Sequence, residues 1–341
     1  MEIQGVLNAR NYAFRVGLPE HILQYLRDDD GADIEAGFDD VFSRLEEQGN
    51  IELDSEEESE DENLASTSAI IQLVNRVITE ADRLGGTVDI AYMPDTFGHS
   101  APLPSILRKT GFSSFVFCRP SRREKADLPG DLFWWQHGRD RVLAYRPKYF
   151  YGNPAECTHE QTLNKLNDPE FAPGKTNCMF FGVGDHGGGV SIAEIEFLQA
   201  YIAKRHAGDT AFSTLSRFFR EARRLPRIPT YEGDLHMHAI GCYSVVRPIK
   251  QGFRDSERLL SYASRALAMA GQGASGLRPL WQRVAFCQFH DLLPGSCVRD
   301  TAEKTIEELG GVRTICREAA YGALKRLSTR HPIRNREGEF R

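Results

Sequence analysis

Residues 87–118 read TVDIAYMPDTFGHSAPLPSILRKTGFSSFVFC, and this stretch is the clearest guide to the fold. The β-branched and aromatic run from Thr87 to Tyr92 predicts a strand, and Ser114 to Cys118 predicts another. Between them, Pro102 to Lys109 predicts a helix, because proline is favoured in the first helical turn. A strand, a helix and a second strand in this order are typical of a parallel sheet with a helical crossover.

The same alternation continues on both sides of this stretch. Apolar residues at helical spacing from Ile70 to Ala81 predict a preceding helix. Val142 to Tyr145 and the apolar run Cys178 to Val183 predict further strands, followed by a helix from Ile192 to Lys204. Several of these strands are apolar on both faces, which is typical of strands covered by helices on each side. The sequence therefore predicts an α/β fold with a parallel sheet.

The character of the sequence changes after about Pro248. Arg254 to Ala270, Leu280 to His290 and Val298 to Leu327 have helical periodicity, with glycine-rich or proline-glycine turns between them. No strand-like alternation remains in this part of the sequence. We therefore expect a helical bundle here.

These patterns divide the chain into four segments. Residues 1–60 are poorly patterned and carry an acidic run that we interpret as a solvated loop. Residues 61–230 form the predicted α/β domain, and residues 231–330 form the predicted helical domain. Residues 331–341 are a polar tail.

The composition excludes several classes of protein. The 341 residues carry 42 basic and 48 acidic side chains, a net charge of -6, whereas nucleic-acid binding favours a basic excess. No apolar stretch is long enough to span a bilayer, and the N-terminus lacks the layout of a signal peptide. Seven cysteines without paired spacing indicate reduced thiols rather than a disulfide framework. We therefore expect a cytoplasmic protein that binds neither nucleic acid nor a membrane.

Three polar clusters lie where strands or helices are predicted to end, at residues 94–100, 182–189 and 288–291. In parallel-sheet enzymes, reactive groups sit at the carboxyl ends of strands. A carboxylate and a histidine from distant segments are the ligand types of a catalytic metal site, and two carboxylates are the pair that glycoside hydrolysis requires. Aromatic residues near these clusters either stack on sugar rings or pack in the core; they are Phe97, Phe133, Trp134, Trp135, Tyr149, Phe150 and Tyr151.

Each cluster also has a purely structural interpretation. Asp95 is suited to capping the helix that follows it. Asp185 lies in a glycine-rich loop, where aspartate is a common turn residue. His290 at a predicted helix end is suited to interacting with the helix dipole. These alternatives remain open at the level of sequence.

The segment from Tyr92 to Ala101 closely resembles the signature of family 38 glycoside hydrolases, the α-mannosidases. The cytosolic and bacterial branch is the most similar variety, and the resemblance extends over roughly residues 61–327. The other matching blocks follow in the family's order. They are Leu103-Pro104, Ile106-Leu107, Phe133 to Trp135, Tyr145, Gly184-Asp185, Gly233 to Leu235, Lys250 to Gly252, Glu257-Arg258, Gln288 to Asp291 and Pro294 to Cys297.

The resemblance implies a retaining, exo-acting α-mannosidase with a (β/α) barrel-like catalytic domain and a helical middle domain. Its substrate would be an α-mannoside oligosaccharide or glycoside. Asp95 matches the nucleophile, which also binds a single zinc ion, and His290 matches a zinc-binding histidine. Asp185 is the candidate acid/base, and a retaining pair of carboxyl groups lies about 5 Å apart. Further candidates for contact with the substrate or support of the ligands are Phe97, His99, His186 and Asp291.

The sequence departs from the family pattern at both ends. The family's remaining zinc ligands lie in a His-x-Asp motif upstream of the Asp95 block, and no His-x-Asp occurs in this chain. His236 and His238 form a His-x-His pair in a different segment, where a plain strand near the domain junction is the alternative to a ligand role. The family's β-sandwich domains have no counterpart after the helical domain. We therefore expect a catalytic domain incomplete at its N-terminus, with an inactive carbohydrate-binding or scaffold remnant as the alternative to an active enzyme.

Overall fold

The computed structural model describes residues 65–83, 88–149, 159–171, 177–182, 191–204, 210–236 and 238–330. These residues fall into two compact units. The α/β unit contains the described residues within 74–238, and the helical unit contains residues 65–73 and 239–330. The sequence-based segments 1–60 and 331–341 lie outside the described residues.

A five-stranded sheet organises the described part of the α/β unit. Its strands within the described ranges are β1 (Ile90–Met93), β2 (Ser114–Phe117), β3 (Leu132–His137), β4 (Asp140–Tyr145) and β5 (Thr230–Glu232). They are paired in the spatial order β1-β2-β4-β3-β5. β1 pairs with β2, β2 with β4 and β3 with β5 in parallel, whereas β3 and β4 are antiparallel. The predicted α/β class is confirmed, and the sheet is parallel-dominated rather than wholly parallel.

The antiparallel pair is a hairpin that the sequence analysis did not predict. Its turn passes through Gly138 at φ 60°, a left-handed conformation that glycine adopts without steric cost. Trp134 and Trp135 lie in β3, and they oppose Leu143 and Val142 of β4. The hairpin thus inserts β3 into the sheet between β4 and β5.

Helices precede and follow the strands along the chain. They are α1 (Thr67–Arg83), α2 (Leu103–Lys109), α3 (His159–Leu166), α4 (Ile192–Lys204) and α5 (Leu215–Ala222). α1, whose first residues belong to the helical unit, α2 and α4 lie where the sequence predicts helices, whereas α3 and α5 were not predicted. α2 joins β1 to β2 as predicted, and Gly111 follows its C-terminal end at φ 106°. α4 has the bounds that the apolar spacing predicts. The strand–helix–strand prediction for residues 87–118 is therefore confirmed.

One predicted strand is wrong over its described part. Residues 178–182 of the predicted strand Cys178 to Val183 are not in a strand. The Tyr145 hydroxyl donates to the Cys178 carbonyl oxygen at 2.9 Å and accepts from the Cys178 backbone N–H at 3.0 Å. Both backbone polar groups of Cys178 are thus satisfied by a side chain, and a neighbouring strand is not needed.

The core of the α/β unit lies on both faces of the sheet. On one face, Ile90, Val116 and Leu143 are buried against Phe218 and Phe219 of α5. The other face holds an aromatic cluster whose fully buried members include Phe115, Phe117, Phe133 and Trp135. Burial on two faces explains why these strands are apolar at nearly every position.

The helical unit confirms the predicted bundle. Its helices are α6 (Arg247–Met269), α7 (Arg278–Phe286) and α8 (Arg299–Arg330). α6 and α8 pack along most of their lengths, and Leu260, Leu309 and Val312 are fully buried between the helices. Among the described helices, none combines the length and the apolar character needed to cross a membrane.

Candidate active site

Strand register brings Asp95 and Arg119 together in the α/β unit. Met93 of β1 is paired with Phe117 of β2, and Asp95 and Arg119 each lie two residues beyond these positions. Because parallel strands end at the same edge of a sheet, the two side chains meet there. Arg119 Nε donates a hydrogen bond to Asp95 Oδ1, and the side chains are 26% and 20% exposed. The carboxylate is therefore accessible and fixed at one oxygen.

The same edge carries a chain of polar contacts that continues beyond Arg119. Its Nη1 lies 2.9 Å from His238 Nε2, and His238 Nδ1 lies 2.7 Å from Glu124 Oε1. The Phe97 ring lies 5.9 Å from the Arg119 guanidinium carbon and 5.6 Å from the His238 ring, measured from ring centroids. We call these five residues, Asp95, Phe97, Arg119, Glu124 and His238, the Asp95 cluster.

Hydrogen bonds keep Glu124, the last residue in the chain of contacts, anionic. Burial raises the pKa of Glu124, but hydrogen bonds from Ser121 and His238 outweigh it, and the pKa falls below its ordinary value. Ser121 donates its backbone N–H to Glu124 Oε2 at 2.8 Å. Glu124 is therefore a carboxylate acceptor for His238 over the physiological pH range.

The structure excludes the capping interpretation of Asp95. α2 has Pro102 as its N-cap residue and no side-chain cap hydrogen bond. Asp95 lies before this helix and contacts Arg119 instead. Its predicted role as nucleophile stays a prediction.

Phe97 and His99 come from one segment but occupy different environments. Phe97 belongs to the Asp95 cluster and is partly exposed. His99 is fully buried, with ring centroids 4.9 Å from Phe115, 5.8 Å from Phe117 and 6.3 Å from Trp135. Its backbone N–H and carbonyl pair with Leu235 at 3.1 and 2.9 Å. His99 thus supports the Asp95 loop from within the aromatic core.

His290 and Asp291 lie in the helical unit. α7 ends at Phe286 rather than at the predicted His290, so His290 lies beyond the helix and outside the last turn, where the dipole acts. His290 Nε2 is 3.9 Å from Asp291 Oδ2, and the His290 ring lies tilted against the Phe289 ring, with their centroids 4.2 Å apart. Asp291 Oδ1 accepts a hydrogen bond from Ser296 Oγ at 2.6 Å.

Contacts with Lys250 and Val246 hold the loop after Asp291 in place. Lys250 Nζ donates to the carbonyl oxygens of Leu293 at 3.1 Å and Pro294 at 2.8 Å. Gly295 has φ 79°, and a Cβ there would lie 3.0 Å from Val246 Cβ. The Pro294 to Cys297 and Lys250 to Gly252 blocks are therefore partners in fixing this loop.

The described residues do not by themselves form a zinc site. Within the ranges that the structure describes, no group of three or more His, Cys, Asp or Glu side chains is arranged to hold a metal ion. Arg119 donates a hydrogen bond to Asp95. Structural and catalytic zinc sites use at least three protein ligands. Asp185 and His186, the remaining predicted site residues, lie outside the described residues.

Sequence reasoning missed Arg119, Glu124 and the contact of His238. Arg119 could have been found, since it follows β2 at the same offset at which Asp95 follows β1. His238 could not, because its contact with Arg119 joins positions 119 residues apart. His238, the second member of the His-x-His pair, contacts Arg119 and Glu124 in the structure.

The fold and the site define an α/β protein with charged side chains at the carboxyl edge of a parallel-dominated sheet, followed in sequence by a helical unit. Residues 47–234, more than half of the 341 residues, match the family model "Glycosyl hydrolases family 38 N-terminal domain". Residues 237–327 match "Alpha mannosidase middle domain". The chain therefore belongs to glycosyl hydrolase family 38, as the sequence of the Asp95 block predicts.

Named relatives agree with this assignment. Alpha-mannosidase G of Dictyostelium discoideum is 31% identical over 222 residues, which are 61% of this chain and 20% of that protein. Human Alpha-mannosidase 2C1 is 28% identical over 234 residues, 65% of this chain and 22% of that protein. The chain thus spans about a fifth of the length of these relatives. The crystal structure of an alpha-mannosidase from Enterococcus faecalis V583 shares the fold, with a TM-score of 0.69 and 15% identity over 88% of this chain and 37% of that one.

Proposed function

We propose that this chain hydrolyses terminal α-mannosides with retention of configuration, using Asp95 as the nucleophile. The observation that carries the proposal is Asp95 itself, which lies partly exposed at the carboxyl edge of the sheet with Arg119 bound to one oxygen. An adjacent guanidinium favours the ionised form of a carboxylate, and only that form is nucleophilic. The named relatives are alpha-mannosidases, and this supports a mannoside as the substrate.

The proposed reaction has two steps. The Asp95 carboxylate attacks the anomeric carbon while the glycosidic C–O bond breaks, and the leaving oxygen takes a proton from the acid/base. The same group, now a base, removes a proton from water, which attacks the anomeric carbon and releases mannose and free Asp95. Asp185 is our candidate for the acid/base, from its position in the family's loop block.

A zinc ion belongs to the proposal only as a prediction of the family resemblance. Asp95 and His290 are the ligands that the resemblance names, and no step above passes through a metal. Elemental analysis of the dialysed chain tests it. Near-stoichiometric zinc that falls in Asp95→Ala would support the prediction, and a metal-free chain would contradict it.

The proposal is tested with aryl α-mannosides and the full chain. We expect turnover by the wild type, release of α-mannose as the first product in NMR spectra, and loss of turnover in Asp95→Asn. Asp127→Asn is the matched control, because Asp127 is a surface carboxylate, 67% exposed, paired only loosely with Lys125 at 3.5 Å.

The contradicting results are also clear. Equal turnover in Asp95→Asn would remove Asp95 as the nucleophile. A wild-type chain that shows no turnover but gains thermal stability with mannose would favour the alternative of an inactive carbohydrate-binding protein.

We further infer a cytoplasmic location. Its support is the chemistry of the helical unit, where Cys287, Cys297 and Cys316 are unbridged thiols. Burial raises the pKa of Cys287 to about 12 and that of Cys316 to about 11, so both stay protonated and inert. Fractionation of cells that express the chain tests this inference, and recovery in a secreted fraction would contradict it.

A further inference from the structure

The Asp95 cluster contains a histidine that the proposed reaction does not use. We infer that His238, together with Glu124, is a positioning residue that fixes the Arg119 guanidinium against Asp95. The inference rests on the proposed function, because it takes Asp95 as the group that must be oriented. The inference concerns the orientation of Arg119 and Asp95 and adds no step to the proposed reaction.

Hydrogen-bond chemistry fixes the proton of His238. A guanidinium has only donors, so His238 Nε2, at 2.9 Å from Arg119 Nη1, must be the acceptor. A neutral imidazole then carries its proton on Nδ1. That N–H points at Glu124 Oε1, 2.7 Å away. Glu124 therefore selects the tautomer that lets His238 accept from Arg119.

Two separate anchors define the plane of the guanidinium. Nε of Arg119 donates to Asp95, and Nη1 donates to His238. A planar group held at two of its nitrogens loses the rotation that a single contact would allow. The Phe97 ring lies within 6 Å of both Arg119 and His238, and it limits movement on one side. Without His238, Arg119 loses the anchor at Nη1.

The burial of the cluster suits such a role. The side chains of His238 and Glu124 are 19% and 32% exposed, so their hydrogen bonds are partly shielded from water. Arg119 is 26% exposed and cannot fully replace a lost partner by solvation. Each contact from Asp95 to Glu124 thus joins a donor to an acceptor. Arg119 donates to Asp95 and to His238 Nε2, and His238 Nδ1–H donates to Glu124.

Kinetics of three variants test the positioning role. We expect His238→Leu to lower kcat on the order of tenfold, because the nucleophile and its partner lose their fixed geometry. His238→Gln offers an amide oxygen to Arg119 and should restore most of that loss. His236→Gln is the matched control, since His236 lies two residues away and outside the cluster. Thermal unfolding of each variant shows whether it is folded.

A purely structural role gives a different result. It would lower kcat and the unfolding temperature together, in His238→Gln as much as in His238→Leu. Equal kcat in His238→Leu and the wild type would overturn the inference outright.

A second measurement does not depend on turnover. Imidazole nitrogen NMR of the 15N-histidine-labelled full chain, assigned by the missing signal in His238→Gln, reports the tautomer. We expect the Nδ1–H form in the wild type at a pH well above the ordinary histidine pKa. The Nε2–H form in the wild type would overturn the inference. An inactive wild type with the Nδ1–H form would remove the proposed function and leave the positioning intact.

Discussion

Arg119 contacts Asp95, the residue that we propose as the nucleophile. The two side chains form a partly buried ion pair, and the charge of each compensates the charge of the other. Removing one member of such a pair leaves its partner poorly compensated. The arginine should therefore matter for the orientation and charge of Asp95.

Replacement of Arg119 by glutamine separates charge from hydrogen bonding. Arg119→Gln keeps an N–H donor but loses the positive charge and the planar guanidinium with its several donors. We expect kcat on aryl α-mannosides to fall on the order of 10- to 100-fold, with a smaller change in KM, because the effect falls on the reacting group. Steady-state kinetics measure both constants.

Arg139→Gln is the control for this variant. Arg139 is an exposed residue in the turn between β3 and β4. Its replacement should leave kcat unchanged. If Arg119→Gln were as active as this control, the ion pair would have no role in the proposed reaction.

At the scale of elements, the contact between α6 and α8 depends on a small residue. Gly252 of α6 faces Leu309 of α8, and a Cβ at Gly252 would lie 3.4 Å from both Cβ and Cδ1 of Leu309. That distance is an ordinary van der Waals contact, so a methyl group fits, whereas a longer side chain does not. Gly252 thus sets how closely the two helices approach.

Two substitutions at Gly252 should have different effects. Gly252→Ala should change the free energy of unfolding by less than about 1 kcal/mol, because the gain in helix propensity offsets the tighter contact. Gly252→Leu should destabilise by about 1–3 kcal/mol through overpacking. Denaturant unfolding measures both values. Gly310→Leu, whose added Cβ meets only the Arg313 side chain at 3.9 Å, is the control. Equal stability of the two leucine variants would contradict the packing argument.

The elements also show what the sequence could and could not predict. The helix Ile192–Lys204 was predictable because local apolar spacing determines it. The predicted strand at Cys178 failed because a tertiary contact, the Tyr145 hydroxyl, satisfies its backbone. The position of Asp95 followed from a local motif, whereas the bond from Arg119 to His238 depends on chain segments far apart in sequence. Local patterns therefore give the elements, and long-range pairing completes the site.

At the scale of the whole α/β unit, an ion network joins three segments that are distant in sequence. Arg122 pairs with Asp131 and binds both carboxylate oxygens of Glu170, at 3.1 and 2.7 Å. Lys148 lies 2.8 Å from Glu170 and 2.6 Å from Asp168. The hydrogen bond from Arg122, followed by that from Lys148, lowers the pKa of Glu170 from 4.5 to about 2. Lys148 is also the largest cause of the lowered pKa of Asp168.

The lowered pKa of Glu170 predicts a specific acid sensitivity. A carboxylate whose pKa is lower in the folded state contributes stability above its unfolded pKa and loses it as the pH falls. The loss should therefore occur between pH 4.5 and about 2. Because Glu170 is 43% exposed, the contribution at neutral pH should be no more than about 1 kcal/mol.

Glu170→Gln tests this sensitivity through the difference between two melting curves. Thermal unfolding of the variant and the wild type should differ at neutral pH and converge as the pH falls below about 2, where Glu170 becomes protonated in both states. Glu160→Gln, at an exposed position of α3, is the control for removing a carboxylate. A difference between Glu170→Gln and the wild type that stayed constant across this pH range would show that the network does not link its segments through the charge of Glu170.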